Sequence, residues 1–429
     1  MSWRASRVSR PSTLALRADP DRASGPGPDE QLGGGGRRPI LVLSCATAVL
    51  ATLGVQAVAP AAPVLQEQFD LSTSQVGLFT AVYLLPGLLL AIPLGVLGDV
   101  IGRRPVFAAA TFLFAVAGVA GAFADSYGAL LGLRFVQGIG FAAIMPLTIT
   151  ILGDTYRGFA LLRAQSRRAV TVVGGDFLMP VIGTTLAAVS WYAPLLAQGA
   201  ILPAGIAGLL ILGPRRYQRQ SSRDYRRGVR TSLRQPGIPP VLAIGVLRFV
   251  FKFTMLTYLP LLLVDEHGLS LTQSGVVLGV AALTAAAAST QVARLLRTVR
   301  PSLVVAGALA AIGTALAAFA FVDSWFVAIA VGMAFGAGDG TVSVIQDAFV
   351  AQSAEPSVRS GVVSVSATTK NLGKLAAPLV MGALVAVMPI ERAFLIMAGV
   401  ALGGSLVYSR QRSLDRQLPI HDTVIAVES

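Results

Sequence analysis

Apolar and polar residues fall along this chain in long blocks. Twelve apolar runs stand out, at about 39–61, 76–98, 105–123, 129–151, 169–190, 194–213, 239–263, 274–293, 302–322, 326–349, 361–386 and 392–409. Each is close to the roughly 20 residues with which a helix crosses a hydrocarbon core. The longest polar break between runs, 214–238, carries eight arginines and divides six runs from six. The pattern predicts an all-α polytopic membrane protein with 12 transmembrane helices in two six-helix bundles, 39–213 and 239–409, joined by a basic linker at 214–238. Residues 1–38, rich in Arg, Gly, Pro and Ser, read as a disordered cytoplasmic tail. Their positive start leads into no short apolar core with a cleavage site, so no cleaved signal peptide is expected. Residues 410–429 form a second cytoplasmic tail.

Composition agrees with this reading. Of 429 residues, 54% are hydrophobic and 13% charged, and the mean hydropathy is +0.70. The net charge of +13 invites a nucleic-acid reading. That reading needs a folded basic face or basic–aromatic interleaving, whereas here the basic residues sit between the apolar runs. With the N-terminus cytoplasmic, 28 of the 34 Lys and Arg fall in the tails and cytoplasmic loops, one (Arg392) in an outer loop and five within runs. The positive-inside rule therefore puts both termini in the cytoplasm of a cell (inner or plasma) membrane. The single Cys45 lies in an apolar run and excludes an intrachain disulfide.

The halves repeat at an offset of 198. Leu71-Ser72-Thr73-Ser74-Gln75-Val76-Gly77 returns as Leu269-Ser270-Leu271-Thr272-Gln273-Ser274-Gly275, Gly138 and Gly140 as Gly336 and Gly338, and Pro180 as Pro378. One offset across three segments predicts pseudo-symmetric bundles related by an axis along the membrane normal.

Gly95-Val-Leu-Gly98-Asp99-Val-Ile-Gly102-Arg103-Arg104 joins the second and third runs. It resembles the loop between helices 2 and 3 of the major facilitator superfamily, Gly-x-Leu-Ala/Gly-Asp-x-x-Gly-Arg/Lys-Arg/Lys. The resemblance implies that Gly95, Gly98, Asp99, Gly102, Arg103 and Arg104 form a conformational latch between the two halves of a transporter. An acidic residue gains nothing from the C-terminus of its own helix, so Asp99 needs a partner elsewhere. Three further stretches resemble the twelve-helix drug:proton antiporters of that superfamily. They are Leu53-Gly54 followed by Pro60-Ala61-Ala62-Pro63; Leu133-Arg134-Phe135-Val136-Gln137-Gly138; and Gly175-Asp176-Phe177-Leu178-Met179-Pro180-Val181-Ile182-Gly183-Thr184, in which Met179 and Thr184 depart from the pattern. The resemblance ties Arg134 to proton transfer. Physically, Arg134 lies only about 8 Å into its span at 1.5 Å per residue, and could instead snorkel to the outer surface.

Ionisable residues inside spans are expensive and mark pathways. They are Arg134, Asp176, Arg248, Lys252, Asp339, Asp347, Lys370 and Lys374; Gln137 and Pro180 join the proton and substrate pathway. Arg248 and Lys252 share a helix face, as do Lys370 and Lys374. A Lys252–Asp339 or an Arg248–Asp339 pair across the cavity is expected, and Asp347 is expected to join Arg359 near the cytoplasm. Both histidines, His267 and His421, lie outside the spans, so Asp176 and Asp339 are the candidate proton carriers.

No metal site, cofactor or ATP-binding loop is indicated, and no enzymatic activity is expected. The partners are a small organic substrate, H+ as coupling ion and the lipid bilayer, with no nucleic acid; a monomer is expected. The excess of intramembrane cations favours neutral, zwitterionic or anionic substrates. The first expectation is proton-coupled export of small organic molecules by alternating access. The alternatives are uptake of a metabolite or organic anion by the same fold, and a non-transporting membrane receptor.

Overall fold

The computed structural model describes residues 34–156, 158–213, 238–352, 359–411 and 415. The basic linker and most of both tails lie outside these residues. Among the described residues, twelve helical segments follow one another. In the first half these are α1 (Gly34–Thr52, running on through a π-helical turn Leu53–Ala57 and a 3-10 turn Ala59–Ala61 into Ala62–Phe69), α2 (Thr73–Leu89, then Ala91–Val100), α3 (Arg103–Gly121), α4 (Tyr127–Thr155), α5 (Gly158–Val189) and α6 (Ala193–Leu196, Ala197–Ile201 and Leu202–Ile211). The second half holds α7 (Ile238–Leu261, then Leu262–Glu266), α8 (Leu271–Leu295), α9 (Pro301–Phe319), α10 (Trp325–Gln352), α11 (Arg359–Val385) and α12 (Ile390–Ser409). Among the described residues, ten of these are long and apolar enough to cross a membrane. The other two, α2 and α11, fill the second and eleventh places.

Several boundaries differ from the sequence expectation for local reasons. Helix α2 is interrupted at Leu90, because Pro93 has no N–H to donate to the Leu89 carbonyl. Pro60 and Pro63 likewise replace regular helix in α1 by π and 3-10 turns. Helix α1 begins at Gly34, inside the stretch read as tail. Helix α5 begins at Gly158, so Arg163, Arg167 and Arg168 lie on a helix where a loop was expected. Counting charge alone misplaced them. Arg168 is buried because its guanidinium finds acceptors on α4: Nε donates to Thr148 Oγ1 at 2.8 Å and Nη2 to the Met145 carbonyl at 3.3 Å.

Contacts in the first half, α1–α4, α1–α5, α2–α4, α3–α4 and α3–α6, recur in the second as α7–α10, α7–α11, α8–α10, α9–α10 and α9–α12. The halves meet along α2–α11 and α5–α8, which also exchange under the repeat. The 198-residue offset reaches single atoms. The N–H of Ser72 donates to Gln75 Oε1, and that of Ser270 to Gln273 Oε1, both at 2.8 Å, starting α2 and α8 alike. A Cβ at Gly138 would collide with the Tyr83 carbonyl, and one at Gly336 with that of Ala281; Gly140 meets the Ala110 carbonyl as Gly338 meets that of Ala308. Between halves, Gly77 abuts the carbonyl of Pro378 and Gly275 that of Pro180. Small residues here let backbones approach closely, which is the main source of helix association in lipid.

Gly77 and Gly275, near the starts of α2 and α8, lie toward one end of the molecule, opposite the end of α2 that leads to Gly102, Arg103 and Arg104. Gly275→Val should push α5 and α8 apart there, since overpacking typically costs about 1–3 kcal/mol. A cysteine placed at Leu278 would then label faster from that end, roughly 5- to 150-fold if the whole cost falls on the closed state; unchanged labelling would show that the seal lies elsewhere.

Candidate functional site

A cavity of about 150 Å³ opens between the halves. Asp176 and Pro180 of α5, Gln56 of α1, Arg248 and Lys252 of α7, a run of small α8 residues and Asp339 of α10 line it. It lies on the basic-end side of the Gly275–Pro180 contact.

Two ion pairs face this space. Arg248 grips Asp339 with two parallel bonds, Nε to Oδ1 at 2.7 Å and Nη2 to Oδ2 at 3.0 Å, and its Nε also reaches the Asp339 carbonyl at 3.2 Å. Both residues are buried. This planar fork is the geometry in which arginine holds a carboxylate best. Of the two pairings open in the sequence, the structure thus contains Arg248–Asp339. Lys252 points elsewhere: its Nζ lies 2.8 Å from Asp176 Oδ2. Gln56 Nε2 donates to Asp176 Oδ1 at 2.6 Å. The Lys252–Asp176 pair crosses from one half to the other, whereas Arg248–Asp339 is internal to the second. Its side chains keep about a fifth of their surface exposed, 23% and 21%, against 9% and 6% for Arg248 and Asp339.

Asp347 of α10 bonds Lys370 of α11; the side chain of Arg359, the partner expected from the sequence, lies outside the described residues. Lys374, one turn along α11, donates to Asn371 Oδ1 at 3.1 Å and sits 5.1 Å from the centre of the Phe249 ring. Asn371 in turn donates to the Gly87 carbonyl of α2 at 3.4 Å, a second polar link between halves.

Arg134 does not snorkel; it is buried. Nη2 donates to the Gly54 carbonyl at 2.7 Å and Nη1 to Gln137 Oε1 at 2.6 Å. The guanidinium lies 4.2 Å from the ring centre of Tyr83 and 4.6 Å from that of Phe79. Among the described residues no carboxylate pairs with it. Dipoles and π faces hold the charge instead, and Gly54 sits within the π-helical turn of α1. Gln137 also bonds Gln198 of α6. Arg134 and Gln137 thus form a polar core within the first half, apart from the Asp176 cavity.

At the basic end, Gly102 opens α3 with φ +109°, a conformation that requires glycine. Arg103 Nε bonds Asp154 Oδ2 at 3.0 Å and ties the start of α3 to the end of α4. Gly98 faces Leu147 of α4, and open space lies beside Gly95. Arg104 is half-buried; the side chain of Asp99 lies outside the described set. Sequence reasoning missed Asp154, although an acidic residue ending the neighbouring span was a readable signal. Gln56 and Asn371 gave no such signal, since neutral amides in spans are common.

A family model described as Major Facilitator Superfamily matches residues 44–320. The bacillibactin exporter of Bacillus subtilis (strain 168) is 26% identical over 162 residues, 36% of this chain and 40% of that protein. The 4-hydroxybenzoate transporter PcaK of Pseudomonas aeruginosa is 29% identical over 155 residues, 35% of this chain and 34% of that protein. The chain thus spans well under half the length of these curated relatives. Among solved structures, a D-xylose–proton symporter superposes with a TM-score of 0.67 at 15% identity, covering 87% of this chain and 97% of that one.

Proposed function

This chain belongs to the Major Facilitator Superfamily, whose members are multi-pass membrane transporters and not enzymes, and we propose that it exports small organic molecules in exchange for protons. The observation that carries this reading is the Lys252–Asp176 pair, a charge contact bridging the two halves inside the cavity between them. Rocking of the halves about a midplane site must make or break such a contact. A proton taken up by Asp176 removes its charge and releases Lys252, so proton binding and the movement of the halves are linked through one atom pair. By the positive-inside rule the basic end is cytoplasmic. The cavity then lies on the cytoplasmic side of the Gly275–Pro180 seal, as an inward-facing carrier awaiting cargo requires.

Uptake by the same cycle is the second reading, favoured by the match to a 4-hydroxybenzoate transporter. Labelled compounds presented to inside-out vesicles separate the readings. Accumulation driven by an acidic lumen, and collapsed by a protonophore, is expected for export. Proton-driven loss of preloaded compound would establish uptake, and the absence of any flux would overturn both in favour of a receptor.

A further inference from the structure

Lys252 and Gln56, which both line the cavity, hold the two oxygens of Asp176 in different ways. Lys252 Nζ lies 2.8 Å from Oδ2, and Gln56 Nε2 donates to Oδ1 at 2.6 Å. An ammonium carries donors and no acceptor, whereas a primary amide carries both. A proton arriving at Oδ2 would therefore face a group that cannot accept it. One arriving at Oδ1 would face an amide whose own oxygen is unused. Gln56 is only 8% exposed, and among the described residues its Oε1 has no hydrogen-bond partner. A buried acceptor left in this state is costly.

The backbone around the amide is fixed. Gln56 belongs to the π-helical turn Leu53–Ala57 of α1, and two α5 glycines bring this stretch against Asp176. A Cβ at Gly183 would collide with the Ala57 carbonyl, and one at Gly175 with the Val49 side chain. The last torsion of a glutamine is free by comparison, because its profile is broad and nearly two-fold. We propose that Gln56 is the positioning residue for the proton of Asp176: its amide donates to the ionised carboxylate and, turned by about 180°, accepts from the carboxylic acid. The proton adds to Oδ1, the amide keeps both its hydrogens, and the turn exchanges one Gln56–Oδ1 bond for another. The other charged groups facing Asp176 are Arg248 beside Lys252 on α7, Asp339 on α10 and, at longer range, Lys374 on α11; the α8 lining is uncharged. Asp339 alone among these offers an acceptor, and Arg248 occupies both of its oxygens. The inference rests on the reading of Asp176 as the proton carrier.

Infrared difference spectra of the purified full chain in detergent, taken between neutral and acid pH, provide the test. Loss of a band in Asp176→Asn assigns the Asp176 carboxyl, and loss of a band in Gln56→Met assigns the Gln56 amide carbonyl. As the protonated carboxyl appears, the amide carbonyl should move to lower frequency, since it passes from unbonded to bonded. Gln56→Met should raise the midpoint of Asp176 protonation by about one pH unit, because a hydrogen bond to a charged group is worth more than one between neutral groups. Gln56→Asn, whose shorter amide stops short of Oδ1, should raise it likewise, and serves if the Tm shows that Gln56→Met fails to fold. An amide band that stays in place while Asp176 takes up its proton, or an unchanged midpoint in the folded variants, would overturn the proposal and leave Asp176 standing as the proton carrier. The absence of an Asp176 carboxyl band at every pH would overturn both.

Discussion

Asp176→Asn is expected to leave the protein inserted and folded while pH-driven accumulation falls to background. The asparagine keeps the size of the side chain and still accepts the hydrogen bond from Gln56, which now reaches Asp176 at 2.6 Å. It removes the charge opposite Lys252 and any possibility of proton release. Because the lost attraction acts between the two halves, it is lost from one conformation and not from both. Couplings of that kind are worth about 1–3 kcal/mol, a 5- to 150-fold change in the ratio of the two states. Substrate exchange without a pH gradient should therefore persist with altered kinetics, while the response to the gradient disappears. Spin-label distances across α5 and α8 would report the population change. Full pH-driven transport by Asp176→Asn would eliminate this residue as the coupling site.

Asp339→Asn should be more damaging to the fold itself. The bidentate pair with Arg248 is more deeply buried than Lys252–Asp176, and removing one member leaves a guanidinium unpaired. Losses of about 3–5 kcal/mol are typical when one partner of a buried pair is deleted. A clear fall in Tm and loss of transport are expected together, with insertion retained. The double variant Arg248→Met, Asp339→Leu separates the two effects, because replacing a whole buried pair by apolar groups is often neutral for stability. Recovered Tm with transport still absent would place the pair in the transport cycle. Recovered transport would show that its role is confined to holding α7 against α10.

Much of this architecture was legible before any coordinates. Long apolar blocks leave few alternatives to spanning helices, because backbone groups in lipid must be satisfied internally. The 198-residue repeat was readable because glycines at close backbone contacts tolerate no replacement, so they mark the same contact in both halves. Pairing was less legible. Face-sharing along α7 placed Arg248 and Lys252 together, but which carboxylate each would take depended on how α5 and α10 approach, and that is set by packing between distant segments. The burial of Arg134 was hidden for a related reason. Its acceptor, the Gly54 carbonyl, is a backbone atom and leaves no trace in residue type. Arg168 was misplaced because charge marks a loop only when nothing nearby can bind it.

Under the 198-residue offset Asp176 and Lys374 occupy matched places, which bears on how such a molecule could arise. A six-helix ancestor associating with an identical copy of itself would have shown one and the same side chain at both places. Two aspartates would have repelled each other across the gap, and two lysines likewise. Within a single chain the two places are free to differ, so opposite charges can stand where exact symmetry would forbid them. The backbone crossings, bound by shape and not by charge, carry glycines on both sides.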